Sequence, residues 1–415
     1  MKRRIMLLLL LVTGLVMCFA PKAAAKGYAP KPESHSSRRD GYTLVWFVIP
    51  EGAVVNYTAD GSTPTKLSPE YRGEKLRFEK DTSLKLMVRK AGTKAKIYNF
   101  RAVVKTRRVL KPAALKKGDT IAIAAPSRYI EDDFQPVVEM LENRGYRVKV
   151  GKCCYLRDNG FAGTPAQRAE ELNGFFADDD VDAILCLRGG AGAKDILDLL
   201  DYELIKQHPK MFIGFSDITF LHSALFERCG LVTVHGSMIY NFVYPHTEYT
   251  ERQFFEGIKN EDTAGDAECP AGTALRTLYR GEAEGRLVGG NLSCAVRLMD
   301  TAYGIEGDHC ILLLEDVHED ADSIDSMLRR LEENGLTDRA DGIVFGEFTD
   351  CGDSDEKAVE KVLRDFAKRV KKPCIMGLPA GHGEDNMFLP MGVRIGITAN
   401  ADGTASFTVL ENAFE

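Results

Sequence analysis

The spacing of apolar and polar positions changes character along the chain. Between residues 43 and 100, short β-type runs at 43–49, 53–57, 84–88 and 97–100 are separated by the turn signals Pro50-Glu51-Gly52, Asp60-Gly61-Ser62 and Ala91-Gly92. This pattern predicts an all-β sandwich module over residues 26–110. After Gly118 the period alternates. Buried-type runs at 121–125, 148–150, 181–187 and 211–213 are interleaved with helical spacing at Phe134, Val137, Val138 and Leu141, at Ile196, Leu199 and Leu200, and at Leu221, Leu225 and Phe226. Alternating strands and helices predict a doubly wound parallel α/β domain over residues 112–262. Apolar strands at 310–314 and 374–376 mark a C-terminal, mixed β-rich α/β domain over residues 280–415.

Residues 1–25 stand outside this pattern. Lys2, Arg3 and Arg4 precede an apolar run over 5–20 and the small residues Ala23-Ala24-Ala25. That is the layout of a secretory signal peptide, and it predicts export to a periplasmic or extracellular location. Lipid attachment at Cys18 is the lesser alternative, because Met17 stands where a small residue is expected. After removal of the signal no stretch is long and apolar enough to span a membrane.

Composition narrows the class. With 44% hydrophobic and 28% charged residues, the 415-residue chain reads as a globular protein of more than one domain. A formal charge of -7 gives no support for nucleic-acid binding. The ten cysteines are scattered, several within apolar runs, and none has the spacing of a zinc site. Neither a metal nor a cofactor is expected.

Candidate chemistry sits on two strand-to-helix loops. In Gly214-Phe215-Ser216-Asp217, Ser216 falls on a sharp turn at the carboxyl end of a strand, where open α/β sheets place their active sites. The turn is similar to a nucleophile elbow, although Ile218 replaces the second glycine of that motif. Helix capping by Ser216 or Asp217 is the alternative. The second loop, Arg188-Gly189-Gly190-Ala191-Gly192, lacks the spacing of a nucleotide-phosphate loop. An N–H from this loop, taken at Gly190, and that of Asp217 form a candidate oxyanion hole. Glu315 follows the strand at 310–314. His382 lies in the glycine-flanked loop Gly381-His382-Gly383. His222 and His235 read as structural and His318 as exposed.

Six strings in order resemble the LD-carboxypeptidase (muramoyltetrapeptide carboxypeptidase) family of serine peptidases. They are Ala124-Ala125-Pro126-Ser127, Arg188-Gly189-Gly190-Ala191-Gly192, Gly214-Phe215-Ser216-Asp217, Gly289-Gly290-Asn291-Leu292, Leu314-Glu315-Asp316 and Gly377-Leu378-Pro379-Ala380-Gly381-His382-Gly383. The resemblance implies a Ser216–Glu315–His382 triad and a murein tetrapeptide substrate losing its terminal D-alanine. It also implies a possible homodimer. Ala191 departs from the family's usual tyrosine, and Asp300-Thr301-Ala302-Tyr303 from its usual Gly-Thr-Pro-Tyr. A carboxypeptidase needs a cation for the substrate's terminal carboxylate. Arg188 is the first candidate, with a structural salt bridge as its alternative, and Arg128 the second. Gly189 and Asn291 complete the substrate-binding candidates, Asn291 chiefly as an organiser of the interdomain loop.

In the N-terminal module, Tyr57-Thr58-Ala59-Asp60-Gly61-Ser62-Thr63-Pro64 resembles chitobiase C-terminal-type β-sandwich modules. Tyr57 and Tyr71 are candidates for glycan contact, against a packing role. Two other functions stay open: a microcin-immunity-type peptidase cleaving a peptide–nucleotide antibiotic, and a catalytically silent wall-binding protein.

Overall fold

The computed structural model describes residues 27–39, 42–78, 80–104, 109–307, 309–352 and 356–415. The expected signal segment and Cys18 lie outside the described residues. The chain divides into two compact units, Met1–Thr106 and Arg107–Glu415.

The first unit holds two three-stranded antiparallel sheets. One is built from Glu33–Arg39, Tyr42–Val48 and Leu76–Phe78, the other from Ala53–Thr58, Thr82–Lys90 and Lys96–Ala102. Period-2 alternation puts Val45 and Phe47 of one sheet and Leu84, Leu86 and Val88 of the other into a common core. The Asp60 carboxylate accepts hydrogen bonds from the Ser62 backbone N–H and hydroxyl, which shapes the turn that carries the Tyr-Thr-x-Asp-Gly-Ser string. Tyr71 belongs to this core: it is 5% exposed, and its hydroxyl accepts a hydrogen bond from the Phe47 N–H. Tyr57 packs edge-on against it.

The second unit contains two larger sheets. Five parallel strands, Arg147–Val150, Thr120–Ala124, Ala183–Cys186, Met211–Gly214 and Thr233–His235, lie in that spatial order. The order reverses between Thr120–Ala124 and Ala183–Cys186, which makes a topological switch point where their following loops separate. The sixth strand, Leu389–Met391, comes from near the carboxyl end and pairs antiparallel with Thr233–His235. The other sheet has eight strands. At its centre Gly281–Asn291, Cys310–Val317, Gly342–Thr349 and Cys374–Met376 run parallel, and antiparallel strands flank them. One apolar cluster joins the two sheets: Ile121, Leu185, Ile213 and Val234 of the first share it with Leu287, Ile311, Leu313 and Val344 of the second.

Two expectations need adjustment. The segment after the glycine loop, Ala193–Leu199, forms 3-10 turns rather than an α-helix. It is confined between left-handed Gly192 and Asp201, whose side chain caps a separate helix, and short confined segments favour the tighter turn. Glu315 lies within its strand rather than after it, because Cys310–Val317 continues past the expected end. Eight of the described cysteines are buried and Cys269 is partly so, all with free thiols.

The shared cluster sets a stability expectation. Leu313 is fully buried in it, so Leu313→Ala is expected to cost about 2–5 kcal/mol. Urea denaturation of the full chain, followed on the Arg107–Glu415 transition, measures this.

Candidate active site

The turn after Met211–Gly214 is strained. Ser216 has φ +64°, a left-handed conformation uncommon for a residue with a side chain. Strain of this kind is held only where surroundings over-determine it. Here a 3-10 turn, Ser216–Ile218, leads into the helix Thr219–Cys229. Gly214 is closely packed, since a Cβ there would lie 3.0 Å from two Ile218 carbons. The position that lacks the motif's second glycine is therefore packed on the first.

Asp217 anchors the elbow. Its buried carboxylate accepts hydrogen bonds from the Ser127 hydroxyl (2.7 Å) and the Ala193 N–H (2.8 Å). One side chain thus ties together the loops on both sides of the switch point and the serine turn. Burial raises its pKa, while the Ala193 and Ser127 hydrogen bonds oppose the rise. The glycine loop lies directly against the serine: a Cβ on Gly189 would sit 2.9 Å from Ser216 Cβ and 3.3 Å from the Asp217 backbone nitrogen. Gly190 and Gly192 both have positive φ, +107° and +111°.

Sequence reasoning missed Arg168, which is the brace beneath this loop. Its buried guanidinium donates to the Pro126 carbonyl (2.5 Å), the Gly192 carbonyl (2.9 Å) and the Gly163 carbonyl (3.2 Å). A lone arginine in an amphipathic helix gives no sequence signal for such a role.

The second sheet delivers the other two side chains. The pairing of Cys310–Val317 with Gly342–Thr349 shifts register between Leu314 and Asp316, and Glu315 occupies the irregularity. Such irregularities re-aim side chains. Glu315 is 0% exposed, and its Oε2 lies 2.8 Å from His382 Nδ1. His382 Nε2 lies 3.0 Å from Ser216 Oγ. An ionised carboxylate can only accept, so Nδ1 carries the proton and Nε2 is free to accept from the serine hydroxyl. Phe215 packs edge-on against the imidazole at 5.0 Å between ring centres.

Burial pushes the Glu315 carboxyl above its usual pKa, and His382 opposes this. For His382, burial acts downward. The hydrogen bond and charge of Glu315, with Asp316 and Glu347, outweigh it and leave the imidazole above 6.5.

The remaining candidates separate clearly. Arg188 sits over Tyr240, its Cζ 4.5 Å from the ring centre, with Nη1 3.5 Å from the Tyr129 carbonyl. No carboxylate pairs with it among the described residues, and its buried Nε has no hydrogen-bond partner. The salt-bridge alternative is thus not seen. Arg128 is exposed and its stem crosses Gly190. Asn291 is occupied structurally. Its Nδ2 donates to Asp316, its Oδ1 caps the helix Leu292–Leu298 at the Cys294 N–H, and its own N–H donates to Thr219 Oγ1 on the helix Thr219–Cys229. Gly290 makes that approach possible, because a Cβ there would lie 2.6 Å from Thr219 Oγ1. His222 is buried between Thr233 and the Gly214 carbonyl, His235 is buried, and His318 is exposed. No cluster of metal-ligating side chains occurs among the described residues.

This constellation can perform acyl transfer: a nucleophile, a base hydrogen-bonded to it, and a carboxylate orienting the base. Comparison with known proteins agrees in fold and family. Residues 121–236 match the LD-carboxypeptidase N-terminal domain and residues 284–397 the LD-carboxypeptidase C-terminal domain. The chain belongs to the LD-carboxypeptidase family. It is accordingly a serine carboxypeptidase, a hydrolase. Residues 40–99 match the chitobiase/beta-hexosaminidase C-terminal domain. A probable murein peptide carboxypeptidase of Bacillus subtilis is 34% identical over 74% of this chain and 97% of its own length. The microcin C7 self-immunity protein of Escherichia coli is 28% identical over 69% of this chain and 93% of its own. The crystal structure of a muramoyltetrapeptide carboxypeptidase from Oxalobacter formigenes superposes with a TM-score of 0.62 at 28% identity, covering 71% of this chain and 99% of that one.

The pKa direction gives a signed expectation. A base must be neutral to take a proton, so kcat/KM is expected to rise with pH through a midpoint above 6.5. Glu315→Gln removes the raising charge, leaves burial dominant, and should move the midpoint down while lowering the plateau by about 10³–10⁴-fold. A pH–rate profile of both proteins checks this.

Proposed function

We propose that this protein is an exported serine LD-carboxypeptidase that removes the terminal D-alanine from murein tetrapeptides. The observation that carries the reading is the hydrogen-bonded line Ser216–His382–Glu315, assembled from positions 166 and 67 residues apart in a chain of this family. Ser216 attacks the carbonyl of the residue before the terminal D-alanine, an L-centre of a diamino acid. His382 takes the serine proton, and Glu315 holds the imidazole and stabilises its charge. The N–H groups of Asp217 and Gly190 receive the oxyanion. His382 then protonates the leaving amine of D-alanine, and water, activated by the same imidazole, releases the acyl group.

Arg188 is the proposed anchor for the substrate's terminal carboxylate. A planar guanidinium binds a carboxylate bidentately, and this one has no internal counter-ion among the described residues. Gly189 leaves open the space beside Ser216. The basic, apolar and small-residue segment at 1–25 supports export. In this reading residues 112–262 supply the nucleophile, residues 280–415 the base and acid, and residues 26–110 an accessory module, with glycan as its proposed ligand. Among the described residues no helix is long and apolar enough to cross a membrane.

The peptide–nucleotide substrate is the second reading, supported by similarity to the self-immunity protein. It uses the same three residues, so substrate assay decides between the two. Residues 26–415, unmodified and as Ser216→Ala, are incubated with a disaccharide-tetrapeptide and followed by mass spectrometry. The unmodified protein is expected to release one alanine, and the variant to be at least about 10³-fold slower. No release, with hydrolysis of an aminoacyl-nucleotide amide instead, would replace the murein reading by the second. Arg188→Lys keeps the charge and loses the fork. It is expected to lower kcat/KM by about 10–100-fold, mostly through KM, on a free-carboxylate peptide, and to change little on the corresponding C-terminal amide.

A further inference from the structure

We infer that Glu347 is a positioning residue for His382, holding the histidine loop on both of its flanks. The inference rests on the Ser216–His382–Glu315 reading and extends it to a fourth side chain. Glu347 lies near the end of Gly342–Thr349, the strand beside that of Glu315, within the register shift between Phe345 and Phe348. Its backbone N–H donates to the Ala380 carbonyl at 2.9 Å, two residues before the histidine. Its Oε2 accepts from the Gly383 N–H at 2.8 Å, one residue after it. One residue therefore fixes the backbone on either side of Gly381-His382-Gly383.

The glycines of that loop fit around it. A Cβ on Gly383 would lie 1.9 Å from Glu347 Oε2, and one on Gly381 would lie 3.3 Å from the Glu347 carbonyl oxygen and 3.0 Å from Glu315 Oε2. Any side chain at 383 would expel the Glu347 carboxylate. One at 381 would crowd both acids. Gly346, next to Glu347, is equally tight: a Cβ there would meet the Ala380 carbonyl at 2.2 Å. The far side of the loop is fixed separately. Thr250 donates to the Glu384 carbonyl, and Asn386 donates to the Gly381 carbonyl.

The electrostatics follow from the same geometry. His382, Glu315 and Asp385 are the charged groups that act on Glu347, and no cationic side chain pairs with it among the described residues. Burial, then the charges of Asp385 and Glu315, push its carboxyl up to about 7, against the Gly383 hydrogen bond. In its ionised form it adds to the negative charge that keeps the imidazole protonated to higher pH. Glu347 thus acts on His382 in two separable ways: by a hydrogen bond that positions the loop and by a charge.

Two substitutions separate them. Glu347→Ala removes both, whereas Glu347→Gln keeps an oxygen that can accept from Gly383 N–H and removes the charge. The full mature chain is assayed in two ways: turnover of a disaccharide-tetrapeptide, and covalent labelling of Ser216 by a fluorophosphonate across pH, which needs no peptide recognition. Glu347→Ala is expected to lower kcat and the labelling rate by about 10–100-fold with KM within twofold. Glu347→Gln is expected to recover most of both rates at the alkaline plateau, with the acid limb displaced to lower pH. Unchanged rates and pH profile in Glu347→Ala would overturn the inference. So would a change in KM alone, which would make Glu347 a substrate contact, or a Glu347→Gln loss as large as that of alanine. If the unmodified protein labels at Ser216 but does not turn over the peptide, the labelling rates still decide the role of Glu347 and only the murein reading fails. Failure of the unmodified protein to label at Ser216 would overturn both.

Discussion

The organisation of this enzyme depends on a carboxylate with no exposed surface. Burying Glu315 without a partner would cost several kcal/mol, and that cost falls only where a donor is held in contact with it. His382 is that donor. The contact is therefore more than a catalytic accessory. It fixes where the histidine loop lies relative to the central strands, and through the imidazole it fixes the distance to Ser216. On the other side of the site, Asp217 repeats the arrangement. It is a second buried acid, satisfied by a hydroxyl and a backbone N–H, and it binds the serine turn to both switch-point loops.

Glycine supplies the clearance that these contacts need. At Gly289 a Cβ would meet the Leu313 carbonyl at 2.2 Å, and at Gly290 it would meet Thr219. The pair lets the end of one sheet's strand touch the first turn of the helix Thr219–Cys229. Both have φ values in the left-handed region, +109° and +124°. In four of the six strings that carry the family resemblance, a glycine stands where an added Cβ would crowd a neighbouring backbone or side chain.

Much of this was legible in the sequence. Buried apolar runs alternating with helical spacing gave the parallel sheet, and the period-2 runs gave the N-terminal module. Ser216 and His382 stand out as loop residues beside glycines after apolar strands and Glu315 as an acid near a strand's end, but it is the ordered strings resembling the family that bring the three together. What stayed hidden was long-range. Nothing near Arg168 announces that its guanidinium will reach the Gly192 carbonyl. Glu347 sits in an ordinary strand, and its partner is 36 residues later. Asn291 reads as an organiser of the interdomain loop, but two of its hydrogen-bond partners, Thr219 and Asp316, lie 72 and 25 residues away and carry no local signal. Helix type also escaped the apolar spacing, because Ala193–Leu199 is set by its flanking turns rather than by its own periodicity.

The strand Leu389–Met391 closes the edge of a sheet whose other members end at His235. Chain order then has a consequence for biosynthesis. A ribosome has made Ser216 well before it makes His382, and the first sheet lacks its last strand for the whole interval. The nascent chain holds the strained serine turn without its imidazole partner and with an unfinished sheet edge. Until the last segment is made, the serine has no imidazole within reach and the strand Thr233–His235 has one unpaired edge.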